Sequence, residues 1–147
     1  MRWDKMANDI EPLPSDLWFD RIAMIANGEL KNTERGLRHA LHLLQLTPRE
    51  FRPPEYDLID EEGFEALLAV GDLDAAAIRL VAAPTLAVSR RSVGETVEAT
   101  IACSTTAQTI TGIGDTFAEA LLKAWARCLM NTRSELGLSR FQELMTR

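Results

Sequence analysis

Leu17, Trp18, Ile22 and Ile25 recur at the spacing that puts side chains on one face of a helix, and Leu37, Ala40, Leu41 and Leu44 repeat the pattern. The first run predicts a helix capped by Ser15 or Asp16 and stopped by Gly28 after Asn27; the second predicts a helix over 33–46. The two pack as a hairpin. Residues 1–14 end in Glu-Pro-Leu-Pro and read as an extended leader, because proline removes a backbone donor and disfavours helix in the residue before it. Thr47-Pro48-Arg49-Glu50 has the form of a capping box, but Pro53-Pro54 closes it within a turn and makes a corner. Beyond it, Asp60 caps a helix over 61–70 stopped by Gly71, Asp72 or Asp74 caps another over 75–82, and Pro84 ends the block.

The period then changes. Residues 85–91, 95–103 and 108–113 are short, partly alternating and rich in threonine, valine and isoleucine, separated by Ser92-Val93-Gly94 and Ser104-Thr105-Thr106. They predict a three-stranded antiparallel meander. Thr116 and Glu119 form a capping box, after which Phe117, Ala120, Leu121, Ala124, Trp125, Cys128 and Leu129 line a broad apolar face over 116–131. Ser139 and Gln142, after Gly137, predict a separate short last helix. The fold class is α+β: N-terminal helices, then α-β-β-β-α with the sheet covered on one side by the long helix. Its parts are a leader 1–14, a helical hairpin 15–54 and an α-β-β-β-α domain 55–147. The hairpin is expected to cover the other side of the sheet in a monomer, with a homodimer as the alternative.

The 147 residues are 46% hydrophobic and 26% charged, the balance of a soluble globular protein, which excludes a disordered or membrane class. Charge or glycine breaks every apolar stretch short of a membrane span. The Met-Arg-Trp-Asp-Lys start lacks the pattern of a secretory signal, so a cytoplasmic location is expected. Cys103 and Cys128, 25 positions apart and in no C-x-x-C spacing, read as reduced buried thiols.

Charge changes the picture more. The net charge is -6, yet residues 1–83 hold 16 acids against 9 bases while residues 84–147 hold 6 against 7. Glu55, Asp57, Asp60, Glu61, Glu62, Glu65, Asp72 and Asp74 occur with no lysine or arginine among them. Such a surface repels phosphate backbones and attracts a basic protein partner, whose nucleic acid the carboxylates imitate.

Catalytic chemistry finds little footing. No serine stands in a G-x-S-x-G elbow, and Asp57 with Glu62 is one of many carboxylate pairs that could do acid and base work. His39 and His42 at i and i+3 supply two metal ligands without a third, and the EF-hand pattern is absent. Gly112-Ile113-Gly114 lacks the third glycine of a dinucleotide fingerprint and the lysine of a P-loop, and reads as a strand end. No catalytic, cofactor or metal residue is assigned. Arg90, Arg91, Lys123 and Arg127 are the bases that a nucleic-acid face would use.

The run from Gly112 to Leu129, with Gly114, Thr116, Ala120 and Ala124 in register, resembles the end of a double-stranded RNA-binding domain, and the α-β-β-β-α order over 72–131 agrees with it. The resemblance places that family's phosphate-binding lysines on Phe117, Ala118 and Leu121, so it implies the scaffold without its RNA site and a helix face buried against protein. Gly114-Asp115-Thr116 followed by Glu119-Ala120 also resembles the helix start of HicB-type antitoxins and of phage-encoded helix-sheet-helix sandwich proteins; the proline-and-glycine segment of the HicB type is absent. The combined expectation is a non-enzymatic interaction protein, a phage or mobile-element accessory, whose acidic surface binds or inhibits a basic nucleic-acid-processing partner. Direct nucleic-acid binding is not expected. The alternative is a degenerate RNA-binding or antitoxin-like module.

Overall fold

Helix boundaries fall where orphan backbone groups find partners. In the computed structural model, which describes residues 13–29, 31–48, 61–81, 86–103 and 108–146, helix α1 spans Ser15–Ala26 and α2 spans Thr33–Gln45. Neither Ser15 nor Asp16 caps α1. Pro14 holds that position, with no side-chain cap, and its carbonyl accepts from Trp18 N, so proline's preset backbone opens the helix. Asn32 caps α2 by accepting from Arg35 N at 3.1 Å. Helices α3 (Glu61–Ala69) and α4 (Leu73–Val81) follow, with Asp72 Oδ1 accepting from Ala75 N at the start of α4. Gly28 (φ 71°) and Gly71 (φ 77°) end α1 and α3 in the left-handed region that glycine enters without steric cost.

Strands β1 (Leu86–Val93), β2 (Thr96–Cys103) and β3 (Gln108–Gly114) form one antiparallel sheet in the order β1-β2-β3. Gly94 (φ 61°) and Glu95 make the two-residue turn between the first two, one residue shorter than the predicted separator 92–94 because Ser92 and Val93 extend β1. Pairing places Arg90 opposite Ala99 and Arg91 opposite Glu98, then Ala99 opposite Gly112 and Thr100 opposite Thr111.

Helix α5 runs unbroken over Phe117–Thr146, so the separate last helix is not formed. Gly137 lies inside it. A glycine in a helix interior costs about 1 kcal/mol relative to alanine, well short of a proline break, and the flanking residues are good helix formers. The start is as expected: Thr116 Oγ1 accepts from Glu119 N at 3.2 Å, and Glu119 Oε2 accepts from Asp115 N at 3.1 Å.

Helix α5 lies on β2 and β3 and presents its other sides to α1, α2 and α4. Gly112 and Gly114 permit the approach. A Cβ on Gly112 would stand 2.2 Å from Ala120 O and 2.7 Å from Ala124 N, and one on Gly114 would stand 2.9 Å from Ala120 N. The glycine pair therefore fits helix backbone onto strand backbone. Around this contact Ala99, Ile101, Leu121, Ala124 and Trp125 join Trp18, Ile22, Leu37, Leu41, Phe64 and Leu80 in one core. Trp18 Nε1 donates to Leu43 O at 2.7 Å inside it, fastening α1 to α2.

The hairpin docks on α5, where Leu122 meets Gly36, and no described helix packs on the opposite face of the sheet. That face carries Ser89, Arg91, Glu98, Thr100, Thr109 and Thr111, none of them buried, with exposed Val93 and Ile113 towards one end. Its polarity is the reason. The apolar stripes of α1 and α2 find aliphatic partners on α5 and would find hydroxyls and charges on the open face.

Candidate functional site

The starts of α4 and α5 converge beside β1 and β2 on a cleft of about 380 Å³, lined by Asp72, Asp74, Arg90, Val97, Asp115 and Phe117 among others. Asp74 organises it. Its Oδ1 accepts from Ala118 N at 3.0 Å and its Oδ2 lies 4.0 Å from Arg90 Nη1. The Arg90 guanidinium sits 5.4 Å from the centre of the Phe117 ring, where the ring's electron-rich face attracts it. Three carboxylates and one guanidinium, the latter beside Asp74, thus line the cleft over an apolar floor. An incoming phosphate meets net negative charge there, whereas a lysine or arginine side chain is attracted.

The start of α5 is closed to a phosphate in a second way. Phe117, Ala118 and Leu121 are buried, at 6%, 1% and 0% exposure, and the N–H groups of Ala118 and Glu119 are already engaged by Asp74 and Thr116.

The acidic run is divided by the fold. Glu55, Asp57 and Asp60 lie outside the described residues. Glu61 and Glu62 are exposed in the first turn of α3, with Gln45 Nε2 reaching Glu61 Oε2 at 3.5 Å. Glu65 is half-buried and engaged by Arg38, whose Nε and Nη2 donate to its carboxylate at 3.1 and 3.0 Å. These bonds hold the Glu65 carboxyl below, and the Arg38 guanidinium above, their ordinary ranges. Asp72 and Asp74 stand apart from those three, at the cleft.

The four bases of a nucleic-acid face do not converge. Arg90 and Arg91 project from opposite faces of β1. Lys123 and Arg127 reach the far side of the sheet, where Lys123 Nζ donates to Ile113 O at 3.1 Å and Arg127 Nη1 donates to Thr111 O at 2.8 Å. Lys123 also pairs with Glu119 at 3.2 Å.

His39 and His42 separate as well: His42 is exposed, while His39 is half-buried with Nε2 enclosed and without a hydrogen-bond partner among the described residues. Burial, with Arg21 and His42 adding positive charge, pushes its pKa down. No three of His, Cys, Asp or Glu converge on a metal position among the described residues, and no helix of the described chain is long and apolar enough to cross a membrane.

Sequence reading missed Arg38 as the partner of Glu65, and Asp115 and Phe117 as neighbours of Asp74. The first pair is 27 residues apart and the cleft joins segments more than 40 apart, distances at which no local spacing carries a signal. No family model matches the chain, and neither a curated protein nor a solved structure matches it.

Proposed function

We propose that this chain is a non-enzymatic protein-interaction module whose acidic surface binds a basic, nucleic-acid-processing partner and occupies the surface where that partner's nucleic acid would lie. The observation that carries the reading is the start of α5, where buried Phe117, Ala118 and Leu121 replace phosphate-binding lysines and Asp74, Asp115 and Glu119 gather negative charge. Glu61, Glu62 and Asp72 are exposed beyond it and available to a basic surface. The resemblance to phage sandwich proteins supports an accessory role in a phage or mobile element.

Long-range attraction between an acidic module and a basic partner speeds encounter and weakens as salt screens it. The test is capture from cytosolic extract at low salt after nuclease treatment, comparing the parent with a Glu61→Lys, Glu62→Lys, Asp72→Lys variant. A basic protein retained by the parent, released by salt and lost by the variant is the expected result. Capture indifferent to salt or to the three lysines overturns the reading, and a gel shift of duplex RNA at low salt replaces it with RNA binding.

A further inference from the structure

The two edges of the sheet are treated differently. On β3, Lys123 and Arg127 donate to the carbonyls of Ile113 and Thr111, which must therefore face away from β2. Hydrogen-bonding direction alternates along an antiparallel strand. Gly112 accordingly bonds towards Ala99, and Glu98 and Thr100 bond towards Arg91 and Ser89. The outward groups of β1 are then those of Leu86, Val88, Arg90 and Ser92. No side chain of the described residues donates to or accepts from them, and every residue from Ala87 to Val93 is exposed, because α5 covers β2 and β3 and leaves β1 projecting past the helix layer.

We propose that the outer edge of β1 is a strand-addition site for an extended acidic segment of a partner protein. Backbone groups at alternate residues supply the pairing, and the charges select the occupant. Arg90 stands on the helix side and Arg91 on the open side, so carboxylates at neighbouring positions of the added strand meet one guanidinium on each face. A second copy of β1 fits poorly. Antiparallel self-pairing centred on Ser89 or Arg90 brings Arg90 against Arg90 of the other copy, diagonally or directly, and like charges opposite one another destabilise a pair. The edge shares Arg90 with the acidic cleft, where it lies 4.0 Å from Asp74, but it uses its own backbone groups and Arg91 and does not depend on the proposed function.

The test titrates the isotopically labelled full chain with a ten-residue peptide of alternating threonine and valine carrying two central glutamates, and with the same peptide carrying two lysines. The expected result is that the glutamate peptide, at millimolar concentration, shifts the amides of Val88, Arg90 and Ser92 and slows their hydrogen exchange. The lysine peptide binds about tenfold more weakly. Val88→Pro removes an outward N–H without touching the bonds to β2 and abolishes binding; Arg90→Glu with Arg91→Glu reverses the peptide preference even if the proline variant does not fold. Absence of shifts along β1, equal binding of the two peptides, or concentration-dependent protection of β1 without peptide each overturns the proposal, the last by assigning the edge to a second copy.

Discussion

Asp74 Oδ1 accepts the backbone N–H of Ala118 at 3.0 Å, tying the start of α4 to the first turn of α5 across 44 residues. A carboxylate that satisfies a first-turn amide caps the helix even when it comes from another helix. Asp74→Ala is expected to destabilise the chain by about 1–2 kcal/mol, the usual worth of such a cap, and Asp74→Asn by less because the amide oxygen can still accept. Urea midpoints of the two variants check the order.

Gly112→Ala is expected to cost about 3 kcal/mol, at the upper end of overpacking penalties, because the nearest obstacle is the Ala120 carbonyl, which moves only if α5 lifts from the sheet. Gly71→Ala is the comparison: its Cβ would meet nothing within 4 Å, so only backbone strain at φ 77° remains, about 1 kcal/mol. Denaturant midpoints should separate the two by roughly 2 kcal/mol.

Stability is expected to fall in mild acid through His39. Burial lowers its pKa in the folded chain below the 6.5 of an ordinary histidine, so the unfolded chain takes up the proton first. The contribution is intact above about pH 6.5 and is lost as pH falls from there towards the folded pKa. Thermal midpoints between pH 7.5 and 5 check this, and His39→Phe should flatten that part of the curve. A second loss, from Glu65, begins as pH falls through its ordinary value of 4.5, since Arg38 holds its folded pKa below that.

Trp18→Phe keeps a large ring in the core but removes the 2.7 Å indole donation to the buried Leu43 carbonyl, which keeps only the longer bond from Thr47 Oγ1 at 3.3 Å. The expected cost is about 1–3 kcal/mol, and a readout confined to the hairpin, such as exchange of α1 and α2 amides, should respond most.

What could be read from the chain followed the range of each interaction. The Thr116 and Glu119 cap, the strand alternation and the glycine stops depend on residues a few positions apart, and their signals were accordingly legible. The docking of the hairpin was not, because both sides of the sheet looked available until the polar residues of Arg91, Glu98, Thr100 and Thr111 fell together on one face through register. The acidic run read as uninterrupted because Arg38 and Arg90, which come to lie beside Glu65 and Asp74, belong to other segments. Gly137 misled for a different reason: its helix penalty is small enough for its neighbours to override.

The hooks that Lys123 and Arg127 place on the carbonyls of β3 also govern how the sheet can grow. A subunit with two open edges polymerises, since each addition exposes a fresh edge for the next. Here two carbonyls of the β3 edge are already engaged, so a strand of another subunit finds fewer free acceptors there than at β1, and the two edges do not match as head and tail.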